Sequence, residues 1–367
     1  MTDAIVVGGG LSGATAAAHL ARAGRSVCLL EREAAPAHKV CGEFLTAEAM
    51  SELARLDIDL PALGAVAITD VRLFAGGRSA AAALPFAAAG LSRHALDPAV
   101  RAAAGAAGAD VRLGARAVAI DRTGVTLSDG LRLSARRILV ATGKHRVRGL
   151  PRRTPPRPHD AKVGFKQHLR LSPAAQSIVA GTVELHLFKG GYAGLMPVEG
   201  GRCNLSLVVT PGAWAAAGRR FEPLLAGICA EAPGLGDRLA GSEAIFPRPL
   251  AVSDVPYGYR AWADPLARDD GLWWVGDQAA VTPSLTGAGM ALALRGGRLL
   301  AERLADERAT PGDATAMLRR QFRRQMAWAR LFEGLLESSP SARGLVMLAD
   351  RFPGLLTAAS RLTRLPA

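Results

Sequence analysis

The stretch AIVVGGGLSGATAAAHLARAGRSVCLLE, residues 4–31, decides the fold. Its first four residues form an apolar run that predicts a buried strand, and Ala14–Ala23 predicts a helix that Gly24 ends. Ser26–Leu30 predicts a second buried strand. A strand, a glycine turn, a helix and a second strand within about 30 residues make one βαβ unit. The sequence therefore predicts an α/β fold with a doubly wound parallel sheet.

The glycine turn carries the pattern Gly8-x-Gly10-x-x-Gly13, which is typical of a dinucleotide site. Gly8 permits the tight turn, Gly10 lets the backbone approach a pyrophosphate, and Gly13 lets the helix pack on the strand. The helix N-terminus offers free N–H groups and partial positive charge to the phosphates. Glu31, at the end of the second strand, can accept hydrogen bonds from ribose hydroxyls. The position between two strands favours this reading over a merely tight turn.

A second glycine-rich stretch, GDQAAVTPSLTGAGM, occupies residues 276–290. An acid, Asp277, follows a predicted strand, and the amides of Gly287–Met290 open a predicted helix. Asp277 suits a ribityl hydroxyl, and the amides suit a flavin carbonyl or a phosphate. Two such sites, with a predicted substrate sheet between them, point to FAD rather than NAD.

The order of predicted elements indicates an inserted second domain. We predict an FAD-binding domain over 1–65, 91–160 and 265–310, a mixed-sheet substrate domain over 66–90 and 161–264, and a helical C-terminus over 311–367. The proline-rich stretch Gly149–Pro158 is predicted to be a linker. The main predicted elements between the glycine motifs are strands Val66–Phe74, Ser79–Leu84, Val111–Ile120, Gly124–Leu127, Arg132–Val140, Ala161–Leu171, Val179–Phe188, Tyr192–Pro197 and Cys203–Thr210, and helices from Ser92 toward Ala104 and over Ala213–Ala232.

The composition is that of a globular protein: 367 residues, 49% hydrophobic and 21% charged. The four cysteines share no metal-ligand spacing, so we expect no disulfide framework and no metal site. No signal peptide and no apolar run of about 18 residues are found, so we expect a cytoplasmic protein. The net charge of +13 comes from dispersed arginines, which favours an ordinary basic surface over nucleic-acid binding.

Over roughly Ala4–Glu302 the sequence resembles the FAD-dependent oxidoreductases of the group A flavin monooxygenase and geranylgeranyl reductase superfamily. The resemblance implies a para-hydroxybenzoate hydroxylase-like FAD-binding domain with an inserted mixed sheet. The candidate cofactor-binding residues are Gly8, Gly10, Leu11, Ser12, Gly13, Glu31, Arg32, Lys39, Cys41, Gly42, Arg93, Ala141, Thr142, Gly143, Gly276, Asp277, Pro283, Gly287, Ala288, Gly289 and Met290.

Local motifs are more similar to the reductase branch than to the aromatic hydroxylases. The run Thr286–Met290 resembles that branch, and Gln278 begins a run without the histidine of the hydroxylase GDAAH motif. Thr142-Gly143 stands where hydroxylases carry an Asp-Gly pair implicated in NAD(P)H contact, so NAD(P)H stays open as the reductant. The Trp-x-Trp-x-Ile signature of flavin halogenases is absent.

The catalytic residues are unknown, with four weak candidates: Cys41, Glu43, His168 and Tyr192. Cys41 resembles a cysteine that lies near the flavin in the reductase branch, although it could be a small buried residue. A buried Glu43 would have a raised pKa and could donate a proton, or it could cap a helix through Ala47–Leu56.

Two of these candidates lie on predicted strands of the second domain. His168 shares a strand face with Lys166, and a pair of cations on a solvent face is the commoner outcome of such a pattern. Tyr192 belongs to Gly190–Pro197, which resembles a strand that lines the substrate pocket in the superfamily. It could bond a substrate oxygen or fill the core.

The predicted C-terminal helix is amphipathic, with Leu318, Phe322, Met326 and Ala329 on one face and arginines around the rest. Such a helix could rest on an anionic membrane, but packing of its apolar face on its own protein is the favoured interpretation.

These observations predict an FAD-dependent oxidoreductase that acts on a lipophilic isoprenoid- or polyketide-type molecule, with geranylgeranyl reductase-like chemistry at a C–C bond. One alternative is a monooxygenase, a hydroxylase or epoxidase that uses O₂ through a flavin C4a-hydroperoxide. Another is a non-catalytic flavin-binding redox module. The expected partners are the lipophilic substrate and, as an open possibility, an electron-donor protein. We expect no nucleic acid and at most peripheral membrane contact, and the oligomeric state stays open.

Overall fold

Two β-sheets organise the chain in a computed structural model, which describes residues 2–144, 161–263, 270–337 and 339–365. The predicted linker Gly149–Pro158 lies outside the described residues. The strands are β1 (Thr2–Val7), β2 (Val27–Glu31), β3 (Phe44–Leu45), β4 (Val66–Ala75), β5 (Arg78–Gly90), β6 (Asp110–Leu113), β7 (Ala117–Asp121), β8 (Gly124–Leu127), β9 (Arg132–Val140), β10 (Ala161–Arg170), β11 (Thr182–Phe188), β12 (Gly191–Val198), β13 (Arg202–Val209), β14 (Glu243–Ala244), β15 (Leu250–Pro256) and β16 (Trp273–Trp274).

Eleven α-helices connect and cover these strands in the described part of the chain. They are α1 (Leu11–Arg22), α2 (Ala47–Ala54), α3 (Arg93–Ala106), α4 (Pro173–Val179), α5 (Pro211–Ala216), α6 (Phe221–Glu231), α7 (Pro233–Leu239), α8 (Gly289–Arg303), α9 (Pro311–Glu337), α10 (Ser339–Arg351) and α11 (Gly354–Leu362). None of the helices in the described ranges combines the length and the apolar character that a membrane crossing needs.

The first sheet has the strand order β6-β2-β1-β9-β8-β7, and β16 pairs with β9. The strands β6, β2, β1, β9 and β16 pair with one another in parallel, as the N-terminal βαβ unit predicts, whereas β8 is antiparallel to both β9 and β7. Helices α1 and α8 pack on each other over this sheet. Their contact is close because Gly297 of α8 has no side chain, since a Cβ there would lie 2.3 Å from the Ser12 carbonyl oxygen. The predicted α/β fold class is confirmed.

The second sheet is mixed and has nine strands, in the order β14-β10-β13-β12-β11-β4-β5-β3, with β15 on the outer side of β10. One of its faces packs against α4, α6 and α7 through apolar residues such as Phe165, Leu205 and Ile228. The opposite face turns toward the first sheet and toward α10 and α11, which contact β4 and β5. The assignment of the whole segments to separate domains stays a prediction.

Two predicted elements are wrong because glycines interrupt them. Val111–Ile120 is not one strand: Gly114, with φ +72°, separates β6, which pairs with β2, from β7, which pairs with β8. The predicted helix Ala213–Ala232 is two helices, α5 and α6, separated where Gly218 and Arg219 both take positive φ. A left-handed residue cannot continue a right-handed helix.

The C-terminal helix α9 places its predicted apolar face in the core of the first sheet. Leu318, Phe322 and Met326 are buried there, together with residues of α1 and α8, and Ala329 is buried as well. The preferred interpretation of this face, packing on its own protein, is confirmed.

Candidate active site

A cavity of about 880 Å³ lies between the two sheets. The predicted cofactor residues that line it are Gly8, Gly10, Leu11, Ser12, Glu31, Arg32, Lys39, Cys41, Gly42, Arg93, Ala141, Thr142, Gly143, Gly276, Asp277, Gly287, Gly289 and Met290. Cys41, Glu43 and Tyr192, three of the four catalytic candidates, line it too. Residues of the two glycine motifs, which are far apart in the sequence, therefore line one cavity.

Gly13, Pro283 and Ala288 are predicted cofactor residues that lie outside the lining of the cavity. Gly13 packs beneath the turn, where a Cβ would lie 2.0 Å from the Gly8 carbonyl oxygen. Pro283 immediately precedes a short 3₁₀ turn, and Ala288 is buried directly before α8. We predict that all three shape the site through the backbone.

The turn between β1 and α1 presents backbone N–H groups to the cavity. Gly10 is the N-cap of α1 and supplies no capping side chain, and the first turn of α1 contains no acid. A helix N-terminus of this kind favours an anion. A side chain at Gly10 would point at the charged ends of Arg93 and Lys39, with distances of 3.6 and 3.8 Å from its Cβ. The space in front of Gly10 is therefore free of a side chain from Gly10 itself and lies next to two cationic groups, those of Arg93 and Lys39.

Glu31 is buried at the end of β2 and is held by the backbone. Its carboxylate accepts hydrogen bonds from the amide of Gly9, at 2.9 Å, and from the amide of Glu33, at 3.0 Å. Arg101 donates to the Gly9 carbonyl from the other side, at 3.2 Å. Each carboxylate oxygen keeps a lone pair for a further donor, such as a ribose hydroxyl.

The late glycine-rich stretch is tied to the end of β9. The Gln278 side chain donates to Thr142 Oγ1 at 2.9 Å and to the Gly143 carbonyl at 2.7 Å. Gly276 has φ +63°, and a Cβ there would lie 2.9 Å from the Ser12 Cβ. The two glycine motifs are thus in contact with each other, and Asp277 lines the same cavity.

An ion-pair cluster anchors the segment that leads to Cys41. Asp97 is buried on α3 and accepts from Lys39 Nζ at 2.7 Å and from Arg93 Nε at 2.5 Å. Burial would raise the pKa of the Asp97 carboxyl, but the charges of Arg93 and Lys39 outweigh this and hold it below its ordinary value. Both cations therefore stay fixed at the edge of the cavity, and the single carboxylate compensates only one of their two positive charges.

Glu43 forms the centre of a second buried cluster. Its carboxylate accepts from Lys166 Nζ, is paired with His168 Nε2 at 2.7 Å, and accepts from the Arg93 amide at 2.7 Å. Glu43, Lys166 and His168 are fully buried. Burial would raise the pKa of the Glu43 carboxyl, but the hydrogen bond with His168 and the charge of Lys166 more than offset it, so this pKa is lowered.

This cluster corrects two predictions. Lys166 and His168 share a strand face, as expected, but the face is covered by the Cys41–Glu43 segment and is not exposed to solvent. The pKa of Glu43 is not raised, and Glu43 does not cap α2, because Thr46 caps that helix by accepting from the Ala49 amide. A protonated Glu43 that donates is therefore not supported.

His38 packs against the Glu43 cluster without bonding to it. Its ring stacks on His94 at 4.5 Å and meets the rings of His168 and Phe246 at 5.0 and 4.7 Å. Burial, followed by the positive charge of Lys166, lowers the pKa of His38 to about 4. His38, Glu43 and His168 are residue types that bind metals, but the Lys166 ammonium already compensates the Glu43 charge. We keep the prediction of no metal here.

The segment around Cys41 is also fixed from the second sheet. The Asn204 side chain on β13 donates to the carbonyls of Cys41 and Gly42, at 3.0 and 2.9 Å. Glu43 takes φ +60°, an unfavourable conformation for a residue with a side chain, and its ion pairs hold it there. Asn204 could not be predicted as a site residue, because a lone asparagine on a strand belongs to no recognisable motif.

The far part of the cavity is apolar and follows alternate residues of the second sheet. Because the side chains of a strand alternate between faces, these residues share one face. They are Val71 and Leu73 on β4, Leu84 and Phe86 on β5, Val183 and Leu185 on β11, and Tyr192 and Met196 on β12. Tyr192 donates its hydroxyl to Ser284 Oγ. Phe332 and Leu336 of α9 and Leu356 of α11 close this end.

Comparison with known proteins agrees with this geometry. A family model described as FAD dependent oxidoreductase matches residues 3–48, which include the first glycine motif. The menaquinone reductase of Mycolicibacterium smegmatis is 30% identical over 329 residues, which cover 82% of this chain and 75% of the relative. The chain belongs to the family of FAD-dependent oxidoreductases that includes this menaquinone reductase. A menaquinone reductase of Mycobacterium tuberculosis is 28% identical over 326 residues, covering 82% and 76%. The protein is therefore an FAD-dependent oxidoreductase, as predicted.

Solved structures show the same fold at lower identity. A geranylgeranyl bacteriochlorophyll reductase-like protein of Thermoplasma acidophilum has a TM-score of 0.77 at 19% identity and covers 98% of both chains. A flavin-dependent brominase has a TM-score of 0.81 at 17% identity, covering 99% of this chain and 93% of its own. At these identities the likeness concerns the oxidoreductase's fold alone.

The residues of the glycine turn fit FAD. The buried Ser12 Oγ has no hydrogen-bond partner within the described ranges, and it lies at the N-terminus of α1, which also lacks a capping side chain. A bound phosphate would supply the missing acceptor. In this oxidoreductase, one continuous cavity extends from the glycine turn to the apolar face of the second sheet.

Proposed function

We propose that this oxidoreductase reduces a carbon–carbon double bond in the isoprenoid tail of a lipophilic small molecule of the quinone class. The relatives named menaquinone reductase support the quinone class, because a menaquinone joins a naphthoquinone ring to an isoprenoid tail. The motif resemblance to the reductase branch supports reduction at a C–C bond.

The observation that carries the proposal is the continuity of the cavity. One space of about 880 Å³ begins at the glycine turn and ends between apolar residues of β4, β5, β11 and β12. A largely apolar pocket with a few polar groups is the usual form of a site for an apolar ligand. An isoprenoid tail can therefore lie along the sheet while one of its double bonds reaches the cofactor end.

FAD, when bound, supplies hydride chemistry. We propose that the amides of Gly10 to Gly13 hold its diphosphate, that Glu31 bonds its ribose, and that Asp277 bonds its ribityl chain. Reduction of a double bond also needs a proton. Cys41 and Tyr192 are the candidate donors in the cavity lining, whereas Glu43 is held ionised by Lys166 and His168.

An anaerobic single-turnover experiment tests the proposal. The FAD-loaded protein is reduced with dithionite, the excess is removed, and a menaquinone is added in detergent. We expect oxidised flavin absorbance to return as a product two mass units heavier forms, with the quinone absorbance unchanged. NAD(P)H and a reducing partner protein are compared as donors in separate multiple-turnover assays.

Three results would contradict the proposal. Formation of a hydroquinone would place the reaction on the ring. A product that gains oxygen, only in the presence of O₂, would make the protein a monooxygenase. Flavin that stays reduced with every lipophilic acceptor would favour a non-catalytic redox module.

A further inference from the structure

Apolar side chains are unusually exposed on the three C-terminal helices. Ten large apolar side chains are exposed in the part of the chain that the structure describes, and six of them lie on or between α9, α10 and α11, with 39–54% of their surface exposed. We call these six the C-terminal apolar surface: Leu331, Leu335, Met347, Leu348, Phe352 and Leu355. This surface differs from the buried face of α9 that the sequence indicated.

The same helices form one wall of the cavity. Leu331, Leu335 and Leu355 are exposed, and the residue after each of them lines the cavity. Those three neighbours are Phe332, Leu336 and Leu356. The wall that closes the apolar end of the cavity is therefore a single layer of helices with an apolar exterior.

The segment that carries this surface is rich in exposed arginines. Residues 311–365 contain nine arginines and no lysine, against four acidic residues. Eight of the nine are exposed, and none of these eight forms an ion pair with a carboxylate among the described residues. The eight are Arg319, Arg320, Arg323, Arg324, Arg330, Arg343, Arg351 and Arg361.

We propose that the C-terminal apolar surface docks on an anionic lipid bilayer and places the apolar end of the cavity against the membrane. Apolar residues with arginines beside them match the acyl boundary and the anionic headgroups of a bilayer. A second copy of the chain fits less well, because it would bring two sets of unpaired arginines together. Docking requires only the surface, so it does not depend on the proposed reaction.

Flotation with lipid vesicles tests the docking without substrate or turnover. The FAD-loaded protein is mixed with vesicles of phosphatidylglycerol and phosphatidylcholine, or of phosphatidylcholine alone. The test variant carries Met347→Glu and Phe352→Glu. The control carries Leu113→Glu and Leu131→Glu, which make the same charge change at exposed leucines away from these helices.

We expect the wild type and the control to float with the anionic vesicles and the test variant to bind at least about tenfold more weakly. Binding should also weaken with added salt and without phosphatidylglycerol. A variant with Met347→Ser and Phe352→Ser, and thermal unfolding of all variants, separate docking from misfolding.

Two results would overturn the docking. One is equal loss of binding in the test and control variants, or no loss in either. The other is no vesicle binding by the wild type. If the wild type instead forms a dimer that Met347→Glu and Phe352→Glu dissociate, the surface binds a second copy of the chain. Neither result bears on the anaerobic turnover assay, so the two proposals can fail separately.

Discussion

At the scale of single residues, Glu43 joins two buried basic side chains in the core. Lys166 and His168 are both fully buried, and Glu43 is their shared partner. Removing one partner of a buried ion pair leaves the other charge uncompensated. We therefore expect Glu43→Gln to lower the free energy of unfolding by about 3–5 kcal/mol, measured by urea denaturation.

Two further variants make this prediction specific. Glu33→Gln removes an exposed carboxylate that pairs with Arg32, and such pairs contribute about 0–1 kcal/mol. Adding Lys166→Met to Glu43→Gln should recover part of the loss, because the orphaned ammonium is then gone. Equal losses in Glu33→Gln and Glu43→Gln would contradict the assignment of Glu43 as the centre of the cluster.

His38 makes stability depend on pH. Its pKa falls from 6.5 to about 4 in the folded protein, because burial and the charge of Lys166 disfavour the imidazolium. Between these values the unfolded chain binds a proton that the folded chain does not. The contribution of His38 is therefore fully present above pH 6.5 and is lost as the pH falls toward 4.

Urea denaturation at several pH values between 7 and 4 compares the wild type with His38→Phe, which keeps the stacking surface and cannot titrate. The wild type should lose more stability than the variant over this interval. Parallel curves for the two proteins would show that His38 titrates normally.

At the scale of elements, the turn between β1 and α1 separates structural glycines from a ligand-facing glycine. A Cβ at Gly8 or Gly13 would lie within 2.4 Å of a backbone oxygen, whereas one at Gly10 meets only side-chain ends, at 3.6 Å or more. We expect Gly10→Ala to fold with near-normal stability and to bind FAD more weakly, because its methyl group occupies the approach to the pyrophosphate. Gly8→Ala and Gly13→Ala should lose folded protein.

Titration of the apoprotein with FAD, followed by flavin fluorescence, measures the affinity, and thermal unfolding measures the fold. Gly227→Ala, at a helical glycine with no atom within 4 Å of the added Cβ, is the neutral control. Unchanged FAD affinity in Gly10→Ala would remove Gly10 from the predicted cofactor site.

The elements that carry a glycine motif were predictable from sequence, since each motif joins a specific turn to a strand and a helix. The placement of Lys166 and His168 was not, because alternation tells which residues share a face but not what covers that face. The partner, Glu43, lies more than a hundred residues earlier in the chain. The break at Gly114 was missed since one glycine inside an apolar run only lowers the strand signal.

At the scale of the whole molecule, the two sheets divide the work of the cavity. The first sheet brings the glycine motifs and charged groups to one end, and the second sheet supplies the apolar wall. Helices α9 to α11 close that wall, although the sequence indicated only a helical C-terminus with one apolar face. Their role depends on contacts with β4 and β5 that no local pattern records.

The length of the apolar end should set which substrates fit, if the proposed reaction is right. Leu185 lines the cavity on β11, and its cross-strand neighbour on β12, Gly194, lines it too without a side chain, so the space in front of Leu185 belongs to the cavity. Leu185→Trp can fill that space and shorten the cavity, whereas Leu185→Met keeps its volume. We expect the tryptophan to lower kcat/KM for a long isoprenoid tail by at least about tenfold and to spare a short one. Steady-state assays over a series of tail lengths, with flavin absorbance confirming equal FAD content, measure the effect. A loss that is uniform across tail lengths would mean that the tail does not lie along β11.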